Sequence, residues 1–272
     1  MGSALFFVYA LPPTEPYGWR KPLLAWAAFA LVLSSLGGLL AQTVMMAGSV
    51  ELGLTSESLA AMVTMTSVGK AAIIRTGFAA IAALFLWRIS PGRPLWVVTG
   101  VLGTLCAASF AWMGHAADTE VAGGLWHLLA DMVHALAAAT WIGALVGFAF
   151  LARTEIRHEI FVLALRRFSA IGLLLVALLA GTGLANAWFL VGLDQVAGLP
   201  GSAYGRLLMI KLALFAGMLG LAAANRFYFS RPNEEAAHGS GARWSVAVET
   251  VLGLAVLGIV AWLGMLEPPF GS

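Results

Sequence analysis

Seven long apolar runs, separated by short polar stretches, divide the chain. A bilayer-crossing helix needs about 20 predominantly apolar residues at a rise of about 1.5 Å each. The runs predict spanning helices over 22–47, 67–88, 94–114, 123–152, 168–192, 204–229 and 243–266. An eighth apolar run, 1–11, turns polar at Pro12-Pro13-Thr14-Glu15-Pro16. As a helix it reaches only about 15 Å, half a bilayer, and it lacks the cationic start of a signal peptide. It reads as the second half of a helix whose first half is absent. The predicted class is therefore all-α: a polytopic transmembrane helix bundle of seven complete helices plus an N-terminal half-helix. No linker breaks it, so residues 1–272 are expected to form a single transmembrane helical domain.

Charge in the loops sets the expected orientation. Arg20 and Lys21 precede the first span, and Arg88 and Arg93 flank the turn between the second and third. Arg153, Arg157, Arg166 and Arg167 fill the stretch between the fourth and fifth, and Arg226, Arg231 and Arg243 surround the last connection. The alternate loops carry Glu51 and Glu57, then Asp118 and Glu120, then Asp194. By the positive-inside rule the arginine-rich loops are cytoplasmic. The C-terminal Glu267-Pro268-Pro269 then lies outside and the N-terminal run points inward, which makes eight helices in an intact bundle. A duplication is hinted at: Gly2-Ser-Ala-Leu-Phe-Phe-Val-Tyr-Ala-Leu11 resembles Gly143-Ala-Leu-Val-Gly-Phe-Ala-Phe-Leu-Ala152, and both are predicted to run inward into a polar loop.

Composition agrees and excludes alternatives. Hydrophobic residues are 61% and charged residues 10%, against about 25% charged in a soluble domain. A net charge of +2 without basic stripes argues against nucleic acid. The single cysteine, Cys106, rules out an intrachain disulfide and a CxxC metal site. No P-loop, phosphorylation motif or nucleotide domain is present, and no catalytic residue suggests itself, so the chain is not expected to be an enzyme.

Candidate chemistry concentrates on the fourth complete helix, in Trp126-His127-Leu-Leu-Ala-Asp131-Met132-Val-His134. Steps of four and three residues put His127, Asp131 and His134 on one face, within about 60° of arc, and Trp141 continues the stripe. His127 falls near the outer boundary and His134 about 16 Å inside it. Ionisable side chains at that depth face a cavity or a partner, and by default mark function. Imidazole is the commonest metal ligand, and a nearby carboxylate orients it. His115, in Met113-Gly-His115, follows the third span and can lie beside His127. The outline is a funnel with His115 and His127 at the mouth and Asp131 and His134 deeper. Taken singly, each histidine also suits a helix cap or a headgroup contact.

Methionines add to this picture: Met45, Met46, Met62, Met65, Met113, Met132, Met209 and Met265 fall in the predicted outer half. Thioether, imidazole and thiolate suit Cu(I), although methionine is also a common core filler. Arg75 and Lys211 lie in the outer leaflet, where they snorkel, pair with Asp131 or raise a barrier to cations. Glu249 lies at a depth that suits an ion pair with Arg226. His158 and His238 fall in predicted loops.

The stretch Asp131-Met-Val-His134-Ala-Leu-Ala-Ala-Ala-Thr-Trp141-Ile-Gly143-Ala-Leu145 resembles a helix of the bacterial copper resistance protein D (CopD) family. Thr66-x-x-Gly69 with Arg75, Arg167-Phe-Ser169, Thr182-Gly183, Tyr204-Gly205-x-x-Leu208-x-x-Lys211, and Asn225-Arg226 with Glu249 are similar to the same family in order and spacing. The resemblance implies an eight-helix protein of the bacterial inner membrane that handles copper. It also implies copper movement from periplasm to cytoplasm, beside a periplasmic copper-binding protein of the CopC type. Copper, as Cu(I) or Cu(II), is then the expected ion, with His115, Met113, His127, Asp131 and His134 as candidate ligands.

A haem b electron-transfer bundle is the alternative. Axial ligation takes imidazoles from opposite sides of the ring. His127 and His134 share a face, so they cannot sandwich one haem. A third reading is a sensor or assembly partner for periplasmic copper proteins.

Overall fold

The computed structural model describes residues 1–12, 18–113, 124–153, 158–191, 196–224, 226–227 and 235–266. Among these the regular structure is helical: α1 (Gly2–Tyr9), α2 (Arg20–Ala47), α3 (Val50–Gly53), α4 (Ser56–Met65), α5 (Ser67–Arg88), α6 (Arg93–Ala108), α7 (Gly124–Arg153), α8 (His158–Val191), α9 (Ala203–Ala224) and α10 (Glu235–Leu263). Seven of them are long and apolar enough to cross a membrane. The protein is a polytopic membrane helix bundle.

Sequence and structure differ at several boundaries. The fifth span starts at His158, ten residues earlier than its apolar run suggests, so Arg166 and Arg167 sit within α8 and not in a loop. Phe161, Val162, Ala164 and Leu165 explain this, because they are buried and extend the apolar face of α8 past the two arginines. The backbone of His238 is likewise helical, at the start of α10. The connection after α2 folds into α3 and α4, capped by the hydroxyls of Ser49 and Thr55. α6 tightens into a 3-10 turn over Ser109–Met113.

α2 shows how one helix serves two solvents. Trp26, Phe29, Leu33, Leu36 and Leu40 are exposed at alternating steps of three and four, which makes a lipid-facing stripe. Leu24, Ala28, Ser35, Leu39 and Thr43 lie on the opposite, buried face.

Packing divides the chain into two compact units, one of Met1, Ser3–Val8 and Pro13–Leu136, the other of Gly2, Tyr9–Pro12 and Ala137–Ser272. In the first, α5 packs between α2 and α6, and Leu39, Met62 and Ala72 form a buried cluster. Phe7 sits edge-on to Trp19 and Trp96, with the Arg20 guanidinium 5.6 Å from its ring centre. In the second, Ala137, Trp141, Leu145, Leu175, Leu179 and Met218 form the core, and Phe148 meets Phe161 and Phe168 edge-on. Arginines at the charged end complete backbone carbonyls that helix termini leave open. Arg167 donates to Ala10 O and Arg243 to Ala152 O, at 3.5 and 3.1 Å.

Two helix starts share one construction. Thr66 Oγ1 and Ser202 Oγ each accept the amide N–H three residues on, from Gly69 and Gly205, at 2.9 Å. This is the N-cap bond that satisfies an open donor. The carbonyls of Met62 and Leu199 press on the same glycines where a side chain would begin. Gly69→Ala and Gly205→Ala are each expected to destabilise the fold by about 1–3 kcal/mol, because the obstacle is backbone and cannot rotate away. A lowered thermal unfolding midpoint of the purified protein is the check.

Candidate functional site

The first turns of α7 separate two faces sharply. Leu125 and Trp126 are 67% and 71% exposed, whereas His127 beside them is 3% exposed. Asp131 and His134 are half-buried on the same side, and none of the three lacks a partner. The stripe continues through Ala137, Trp141, Ala144, Phe148 and Leu151, all buried. His127 thus lies on the buried side of α7 and Trp126 on its exposed side.

Helix geometry limits what the ridge can hold. His127 and His134 are separated by about 10 Å of helix rise, farther apart than either is from Asp131. Asp131 lies about 6 Å along the axis from His127 and about 4.5 Å from His134, so each neighbouring pair can share an ion. Among the described residues no three of His, Cys, Asp or Glu come together as a metal-holding group. The backbone of Met113 closes the 3-10 turn. His115 lies outside the described residues, as does the side chain of Met113.

Arg75 does not snorkel. Its side chain is 2% exposed. Nε donates to Ser109 Oγ at 2.9 Å and Nη2 to Ser109 O at 3.2 Å, and the guanidinium carbon lies 3.7 Å from the Phe110 ring centre. Ser109 Oγ donates in turn to Cys106 O at 2.7 Å, and the Cys106 thiol donates to Arg75 O at 3.6 Å. This loop of contacts pins the far end of α6 to α5. Sequence reasoning missed Ser109. A lone serine in an apolar span usually bonds its own helix, so nothing in the sequence singled it out as a guanidinium partner.

Met45, Met46, Met65 and Met265 are 70–81% exposed, whereas Met62 is buried in the core. Arg226 donates through Nη1 to Ser169 O at 3.1 Å and Ser169 Oγ at 2.8 Å. Glu249 is 3% exposed on α10 and has a partner.

Comparison with known proteins identifies the family. Residues 1–126 match the family model for the copper resistance protein D-like N-terminal domain, and residues 162–263 match that for copper resistance protein D. The chain is 36% identical over 286 residues to a copper resistance protein D of Pseudomonas syringae pv. tomato, covering 98% of this chain and 91% of that protein. It is 31% identical over 170 residues to the copper transport protein CutJ of Bacillus subtilis strain 168, covering 61% of this chain and 29% of the relative. No solved structure matches. Both matched segments fall in the family's order, and the Pseudomonas protein is aligned along nearly its whole length. On these grounds the chain belongs to the copper resistance protein D family.

Proposed function

We propose that this protein carries copper ions across the bacterial inner membrane, from periplasm to cytoplasm, along the ridge of α7. The observation that carries the reading is the buried His127 beside the exposed Leu125 and Trp126, with Asp131 and His134 half-buried at the next steps of the same helical face. Such groups normally line a substrate path or bind an ion. His127 with Asp131, and Asp131 with His134, make two successive two-ligand stations that share a carboxylate. His115 and Met113 are proposed as further ligands at the periplasmic mouth. Imidazole and thioether accept copper, and Cu(I) suits the thioether best.

The same reading puts the C-terminus in the periplasm, treats 1–272 as one working transmembrane domain, and gives the protein no catalytic step. A CopC-type periplasmic protein is the proposed donor. Copper, not haem, is the word that the matched relatives carry, which favours this reading over haem b.

The test is copper uptake into proteoliposomes and cells. His134→Ala is expected to lower uptake about tenfold or more, the loss of one ligand contact worth at least 1.4 kcal/mol, with a normal amount of folded protein. A Soret band in purified protein, with uptake and copper binding unaffected by His134→Ala, would overturn the copper path in favour of haem.

A further inference from the structure

Three helices of the chain have a sequence counterpart further along it. α10 and its approach align on α6 without a gap, from Arg93 on Arg243 to Gly114 on Gly264, and eight of these 22 positions are identical. They include Val-Leu-Gly (101–103 and 251–253) and Ala-Trp-x-Gly (111–114 and 261–264). α9 aligns on α5 in the same way: Thr66-x-x-Gly69-Lys70 with Arg75 lies on Ser202-x-x-Gly205-Arg206 with Lys211. α1 aligns on the later part of α7, with Gly2 on Gly143 and Phe7 on Phe148.

Packing follows these alignments, which apolar composition alone does not require. Gly103 in α6 lies against Met1, and Gly253 in α10 lies against Ile142, the residue that aligns with Met1. Gly100 lies against Ala4 and Leu5. Thr250, which aligns with Gly100, bonds the carbonyl of Leu145, which aligns with Ala4, at 3.4 Å. The shared hydroxyl cap and crowded glycine of α5 and α9 are a third correspondence. The contact of α6 with α1 thus keeps its register in that of α10 with α7, and α5 and α9 begin in the same way.

We infer that the chain is a tandem duplication of one four-helix unit, and that Lys211 is the second copy's Arg75, a membrane-embedded cation that ties the third helix of its copy to the fourth. Each cation lies nine residues beyond the capping hydroxyl, about 12 Å into its helix at 1.5 Å per residue. In the first copy Arg75 secures the last turn of α6 through Ser109 and Phe110. In the second, α9 packs against α10 as α5 does against α6, and Lys211 has a partner. The residue aligned with Ser109 is Ile259, so the flexible ammonium takes a different acceptor from the planar guanidinium.

The test is hydrogen exchange of the purified full-length protein, read by peptide. Lys211→Met is expected to speed exchange over 256–263 by about fivefold or more, as local opening at that helix end becomes easier, and Lys211→Arg to restore it. Unchanged exchange over 256–263 in Lys211→Met, or no rescue by Lys211→Arg, overturns the tying role. A second measurement covers the case in which Lys211→Met does not fold. The paired exchange Arg75→Lys with Lys211→Arg should give a folded protein, and so should Cys106→Val, which installs the residue found at the matching position, Val256. Collapse of both would end the equivalence of the two copies. None of these readouts depends on copper.

Discussion

Copper uptake is expected to fall about tenfold to a hundredfold in Asp131→Asn, the range set by losing one hydrogen bond or contact to a charged group, about 1.5–3 kcal/mol. On the proposed path Asp131 belongs to both stations, so its loss interrupts two handovers where His134→Ala interrupts one. The amide keeps the size and most of the hydrogen-bonding capacity of the carboxylate, so the fold should survive. What disappears is the negative charge that attracts the ion and raises the basicity of the neighbouring imidazoles. Uptake, equilibrium copper binding and the yield of folded protein should be measured together. Unchanged uptake and binding in Asp131→Asn would remove the ridge as the path.

Arg75→Ala should give the largest loss of stability of any single change considered. The guanidinium is buried, makes two hydrogen bonds to Ser109 and stacks on Phe110. Its removal leaves the Ser109 groups without that donor and opens a void beneath the ring, for a combined cost of about 3–5 kcal/mol. Arg75→Lys should fall in between, since an ammonium keeps the charge but loses the planar fork and the stacking. Ser109→Ala should cost about 1–3 kcal/mol, the penalty for an orphaned buried donor. Unfolding in detergent or nanodiscs, followed by helix signal, ranks the three. A stability of Arg75→Ala equal to that of the parent would show that the contacts around Ser109 contribute nothing net.

Some of this protein was legible because lipid imposes simple rules. The seven spans follow from run length alone, and α7 was bounded to within a residue at each end. Its chemical face was legible too, since a helix of fixed period must bring His127, Asp131 and His134 to one side. The start of α8 was not legible, because Arg166 and Arg167 look like loop residues until the buried side chains before them are seen to pack. The short helices α3 and α4 were missed for a related reason: each owes its start to a capping hydroxyl and not to an apolar run.

The sequence by itself determined that seven helices among the described residues are long and apolar enough to cross a membrane, which stripe of α7 carries ionisable groups, and that a family of copper proteins shares its motifs. Those properties depend on local period and on the free energy of placing residues in hydrocarbon, which act along one helix at a time. Only the tertiary structure decided that His127 is buried, that Arg75 binds the far end of α6 through Ser109, and that α6 meets α1 in the register in which α10 meets α7. Such outcomes depend on which helices become neighbours, and contacts between residues 34 positions apart, such as Arg75 and Ser109, are set by packing that no local pattern encodes.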